Sequence, residues 1–144
     1  MFSHALQRNV RILSSAQAEK VLEAEPDVWN VIHVPHQDHM ALDLSLAKSS
    51  FNAQSRSSET FQALFGFCTD SKGPLLVCCA SGVTNSPTIL LLILLHASAE
   101  PHANLLSAVR STRPIARFNL TLLKAGLAAM QREQEYSQLA GLIG

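Results

Sequence analysis

Between Lys72 and Glu100 the chain carries no formally charged side chain, and the segment GPLLVCCASGVTNSPTILLLILLHASA fills that gap. A stretch so apolar has to be buried, and its pattern says how. LLVCC is short and continuously apolar, which reads as a strand covered on both faces. SPTILLLILLHAS is apolar all round and reads as a helix inside the core, with Pro87 suited to its first turn. The small residues between them form a loop at the strand's carboxyl end, where open α/β sheets bind ligands. The longest uninterrupted apolar run, Ile89 to Leu95, is far below the roughly 18 residues needed to cross a bilayer, so the segment implies a core and no membrane partner.

The flanking sequence supplies the rest of such a sheet. VRIL, residues 10 to 13, suits a first strand. SSAQAEKVLEAEPDVW follows as a helix capped by Ser14 or Ser15, with Glu19 in its first turns and Pro26 as its stop. WNVIHV reads as a buried strand with Trp29 packed before it, and PHQDH as a turn. ALDLSLA alternates in period two and predicts a strand with Leu42, Leu44 and Leu46 on one face. KSSFNAQSRSS reads as a polar loop, and ETFQALFGFC as a short amphipathic helix capped by Ser57 or Ser58. PHANLLSAVRST and NLTLLKAGLAAMQREQEY predict two further helices, the second running towards the C-terminus. Early strand–helix alternation implies parallel pairing and the α/β class. The expectation is one domain over residues 1–144 with 1–9 as an N-terminal extension. Its sheet is central, mainly parallel, of about four to five strands, and flanked by helices. A composition of 47% hydrophobic and 15% charged residues fits one sizeable core.

Charge and cysteine usage narrow the function classes. Lys plus Arg number 11, as do Asp plus Glu, so no global field favours nucleic acid or an anionic membrane. Glu19, Glu23, Glu25 and Asp27 form an early acidic patch. Arg110, Arg113 and Arg117 form a late basic one, either solvated surface or an attractor for a phosphorylated or acidic partner. Cys68, Cys78 and Cys79 are odd in number and lack zinc spacing, which points to a reducing, intracellular compartment, the cytoplasm first. The start, MFSHALQRNVRILSS, faintly resembles a mitochondrial presequence, so the mitochondrion is an alternative, as is a cytoskeletal assembly. His33, His36 and His39, with Asp38, are spaced by three, but Pro35 favours turn or surface histidines over metal ligands. Neither a metal nor a cofactor is expected.

The loop holds the chemistry. Its backbone N–H groups, at a helix N-terminus, make an anion nest. A cysteine at that helix end is favoured as a nucleophilic thiolate. The plainer alternative is two small buried residues at the end of a strand. CCASGVTNSP resembles the signature of the cysteine-dependent protein tyrosine phosphatases, in which His-Cys is followed by five residues, Arg, and Ser or Thr. It is most similar to the atypical dual-specificity phosphatases, where the loop often reads HCAAGVSRSP. Downstream, VRSTRPIARFNLTLL resembles the segment VKSRRPIIRPNxGF through Arg113, Pro114, Ile115, Arg117 and Asn119. Upstream, VRILSSAQAEKVLE and WNVIHV resemble a strand, helix and strand of the same family. The matches keep family order and run from residue 10 to about residue 130. The resemblance implies that Cys79 is the nucleophile. Ala80, Ser81, Gly82, Val83, Thr84 and Asn85 would then form the phosphate loop, and Ser86 would assist release of the cysteine. The segment holding Arg110, Arg113 and Arg117 would support the loop.

Two departures bear on activity. The family arginine is Asn85 here, shorter and neutral, without the planar charged fork that binds two phosphate oxygens. One lost oxyanion donor typically costs ~10²–10³ in rate, and a catalytic arginine in phosphoryl transfer is worth ~10³–10⁵. The preceding residue, usually His, is Cys78. The general acid, placed just after the strand that LDLSLA resembles, falls near Lys48 or Ser49, with Asp43 and Asp38 as the carboxylates that could swing in. The resemblance with these departures implies a catalytically inactive phosphatase-like protein. It would act by protein binding, on a partner or phosphoprotein, or as a structural or regulatory subunit of an assembly. The alternatives are a weak protein phosphatase using Cys79, and thiol redox or sulfur transfer through Cys78 and Cys79.

Overall fold

The computed structural model of the protein describes residues 2–3, 8–35 and 42–144. Strands β1 (Phe2–Ser3), β2 (Arg8–Ser14), β3 (Asn30–Val34), β4 (Ser49–Asn52) and β5 (Leu75–Cys79) form one sheet in the order β1-β2-β5-β3-β4. β2, β5, β3 and β4 are mutually parallel, and β1 pairs antiparallel to β2. The helices are α1 (Ser15–Ala24), α2 (Ser58–Asp70), α3 (Asn85–Ala97), α4 (His102–Thr112), α5 (Leu120–Ala129) and α6 (Tyr136–Ile143), with a 3₁₀ turn at Glu133–Glu135 before α6.

β5 is buried along its whole length because both faces of the sheet are covered. Leu75, Val77 and Cys79 point into the larger core, which receives apolar residues from α2 through α6. Leu76 and Cys78 point the other way, towards Ala18 and Leu22 of α1, Trp29 and Val31. α3 explains its own composition: every residue from Ser86 to Leu95 is buried. It crosses α5 closely, since a Cβ on Gly126 would lie 2.4 Å from Leu92 Cδ1.

Local chemistry sets the boundaries. Ser14 ends β2 and caps α1: its Oγ accepts from Gln17 N–H at 3.2 Å, and the Gln17 side chain accepts from Ser14 N–H at 3.1 Å. Ser57 caps α2, its Oγ accepting from Thr60 N–H. The Arg8 guanidinium donates to Gly73 O at 2.7 Å and Cys68 O at 3.1 Å, tying the α2–β5 turn to β2. Trp29 is 3% exposed, and its indole N–H donates to Glu25.

Three expectations are corrected. The strand expected over ALDLSLA is not formed by residues 42–47, which are irregular and turn. Leu42 and Leu44 still pack on the α1-side core, but the edge strand is SSFN, read from sequence as loop. Its pairing is led in by Lys48 N–H donating to Trp29 O at 2.8 Å. The long last helix is broken after Ala129. Gln131 has φ +58, and Arg132 turns in to donate to Leu95 O at 2.6 Å and to pair with Glu135, so a separate α6 follows. His33 is no turn histidine: it lies buried in β3, its Nδ1 3.3 Å from Asn52 Oδ1. His36, Asp38 and His39 lie outside the described residues. Among the described residues no helix is long and apolar enough to cross a membrane, and no cluster of His, Cys, Asp or Glu could hold a metal ion.

Candidate active site

The strand–loop–helix unit places Cys79 at the carboxyl edge of the sheet and residues 80–84 between it and α3. Cys79 is 4% exposed, and its Sγ accepts from Gly82 N–H at 3.2 Å. Gly82 has φ +71, and a Cβ there would stand 2.6 Å from Leu13 C and Ser14 N, both backbone atoms. The loop is therefore folded tightly back against the end of β2. Gly82→Ala should combine left-handed strain with a backbone clash and cost about 3 kcal/mol. Chemical denaturation measures it, and an unshifted midpoint would mean that the loop does not hold this shape.

Contacts from the segment before α5 brace the loop from the other side. Arg117 N–H donates to Val83 O at 2.7 Å, and Val83 N–H donates to Ser81 Oγ at 3.2 Å. Thr88 Oγ1 donates to Thr84 O and accepts from Asn119 N–H. No side chain caps the N-terminus of α3, so its first N–H groups gain nothing from a capping hydroxyl.

Asn85 is turned to this bracing network. Its Oδ1 accepts from Asn119 Nδ2–H at 3.0 Å, while Asn119 Oδ1 accepts from Leu122 N–H at 3.0 Å and caps α5. The side chain in the arginine position thus joins the start of α3 to the start of α5. Ser86 Oγ is fully buried and, among the described residues, has no hydrogen-bond partner, Cys79 included.

Cys78 and Cys79 point to opposite faces of the sheet, as neighbours in a strand must. Burial, and to a lesser degree the neighbouring Cys79, pushes the Cys78 thiol up to about 12. Burial likewise takes Cys68 to about 12. Of the basic residues, Arg110 lies 5.7 Å from the Phe118 ring centroid and donates to Ile143 O, so it ties the C-terminal helix down. Arg113 Nε is buried without a partner among the described residues.

Strand register moves the place of a general acid. Ser49 aligns with Asn30, and Asn30 with Leu75, at the amino edge of the sheet. Lys48 and Ser49 therefore stand roughly 13 Å, about four strand residues, from the Cys79 edge. Asp43 is exposed, and its carboxylate is held below the usual range chiefly by the backbone hydrogen bond from Ser45 N–H. The segment that leaves β4 at the Cys79 edge is Ala53-Gln54-Ser55-Arg56, which contains no carboxylate. With Asn85 and Thr60 it lines a cavity of about 70 Å³. Sequence reasoning left this segment as loop, and only the corrected position of β4 brings it to the site.

Solved structures share this fold. DUSP15 superposes with TM-score 0.62 at 17% identity, over 92% of this chain and 93% of that one. The chain has the fold of the dual-specificity phosphatases. Human DUSP28, of the same fold, gives TM-score 0.60 at 17% identity over 94% of this chain and 97% of its own. PTPMT1, in a complex with PI(5)P, gives 0.59 at 12% identity over 95% and 97%. No protein-family model matches the chain, and no curated protein matches it. Within the dual-specificity phosphatase fold, the unit around Cys79 occupies the carboxyl edge of the central strand, and four parallel strands carry it.

Proposed function

We propose that the chain is a catalytically inactive protein of the dual-specificity phosphatase fold, working by binding a protein partner or phosphoprotein, or as a regulatory subunit of an assembly. The observation that carries this reading is the bond from Asn119 Nδ2 to Asn85 Oδ1. In the position where the resembling enzymes have a guanidinium, this chain has a neutral amide engaged in holding two helices together. A phosphoryl group in transfer needs charge stabilisation that a neutral, already bonded amide does not supply. Residues 53–56, which leave β4 at the Cys79 edge, supply no carboxylate to protonate the leaving group. The cytoplasm suits the free thiols, Cys68, Cys78 and Cys79.

A weak phosphatase is the second reading, favoured by the retained contact between Cys79 Sγ and Gly82 N–H. Thiol chemistry through both cysteines has less support, because Cys78 is buried on the far face. The test is turnover of a phenyl phosphate substrate by the full chain beside its Cys79→Ser variant. Equal, background-level rates are expected. Turnover that needs Cys79 would replace the first reading by the second.

A further inference from the structure

The cavity beside Asn85 does not include Cys79 in its lining, and its composition points to a different ligand class. Its buried lining is apolar, from Val34, Phe61, Leu64, Ile89 and Leu122, whereas its more exposed lining, Gln54, Ser55, Thr60 and Asn85, is polar. Arg56 is the one charged residue among the described residues that line it. Arg56 is exposed and forms no ion pair or hydrogen bond among the described residues. Glu59, in the first turn of α2, lines the neighbouring groove instead. Arg56 is also carried on a braced backbone. The hydroxyls of Ser55, Ser57 and Thr60 bond to one another at 3.0, 2.6 and 2.9 Å, pinning the loop on either side of it.

We propose that this cavity binds a short aliphatic monocarboxylate, with Arg56 holding the carboxylate at the mouth and the buried apolar residues taking the alkyl part. A guanidinium matches the two oxygens of a carboxylate in a planar fork. One cation offsets one negative charge. A phosphomonoester carries about −1.5 to −2 near neutral pH, so part of its charge would have no cation beside it, Arg56 being the one charged residue of the described lining. Size sets the tail. A cavity of about 70 Å³ is roughly half of the ~150 Å³ that takes a benzene ring. An aromatic ring is excluded, and a chain of two or three carbons fits. The inference goes beyond the function proposed above and does not depend on it, since neither Cys79 nor its turnover takes part.

The test is titration of the isotope-labelled full chain with butyrate, followed by amide and side-chain NMR shifts, at fixed ionic strength. Inorganic phosphate, phenyl phosphate and N-acetyl-glutamate methylamide form the other arms. A small ligand of this kind should bind with Kd on the order of 1 mM, shifting resonances of Gln54, Thr60 and Asn85. Arg56→Gln should weaken butyrate at least ~tenfold, and Arg56→Lys, which keeps the charge but loses the fork, should weaken it by less. Because Arg56 is exposed, both variants should keep the wild-type spectrum outside the cavity. Stronger binding of the glutamate compound than of butyrate supports the carboxylate assignment and makes a protein side chain its source. The reverse supports it with a free acid as the source. Phosphate bound as tightly as butyrate, unchanged affinity in Arg56→Gln, or no shifts at tens of millimolar butyrate would each overturn the inference. Those results leave the proposed function standing, whereas Cys79-dependent turnover sinks that function and leaves this site untouched.

Discussion

Leu92→Asp should leave no cooperatively folded protein at neutral pH. Leu92 is fully buried in α3, and its terminal carbons sit against the bare Cα of Gly126 on α5, so no path to water is open. The substitution loses the burial of a leucine, about 2–3 kcal/mol, and adds a carboxyl with no partner, for which several further kcal/mol is the usual scale. Together these reach the ~5–15 kcal/mol that holds a domain of this kind. Acid should partly relieve the loss. A carboxyl buried without a cation is favoured in its protonated form, so its folded pKa lies above its unfolded one. Its penalty is therefore smallest below the unfolded value, near pH 4, and grows as pH rises. Circular dichroism and thermal melting at pH 7 and pH 4, each against wild type at the same pH, measure both claims. Leu92→Ala should still fold while losing about 2–5 kcal/mol. Leu142→Asp, at a position 43% exposed, should melt like wild type. A wild-type melt for Leu92→Asp would remove α3 from the centre of the molecule.

The same burial explains why α3 and β5 were legible from sequence. An uncharged run has few places to go, and the small-residue loop between strand and helix fixes the carboxyl edge. β4 was illegible because an edge strand needs little apolar surface. In SSFN only Phe51 packs on the core, near Phe67 at 5.8 Å between centroids. The alternating leucines before it gave a strand pattern, yet Leu42 and Leu44 cover α1-side apolar residues from irregular backbone. That error carried the acid position to the wrong edge of the sheet and hid Gln54 and Arg56. The break after α5 has no proline or glycine to announce it. It rests on Arg132 reaching Leu95 O, a contact between residues far apart in sequence. The Asn85–Asn119 bond is of the same kind. Each residue could be singled out by resemblance, but only the fold shows that one occupies the other.

Asn85→Arg should tighten binding of tungstate at least ~tenfold, which needs about 1.4 kcal/mol. The cradle for the anion is present: Gly82 N–H already points at Cys79 Sγ, and the N-terminus of α3 has no side-chain cap. A guanidinium at this position adds bonds to the oxyanion worth ~1.5–3 kcal/mol each. Set against this is the acceptor lost by Asn119 Nδ2, at a half-buried place where water can replace it. The gain in binding should exceed that loss, and the variant should show it by calorimetry as well as by a raised melting point in tungstate. Turnover should remain low, because residues 53–56 still offer no proton donor. Adding Gln54→Asp puts a carboxyl at the Cys79 edge and should raise phenyl phosphate turnover by a further ~10²-fold. Adding Lys48→Asp instead should do nothing, since that position stands at the opposite edge of the sheet. The pair of double variants thus tests the strand register through its chemistry. Equal turnover in the two would place the acid segment wrongly. A failure of Asn85→Arg to tighten tungstate would show that the loop has the backbone of an anion cradle without the room for an anion.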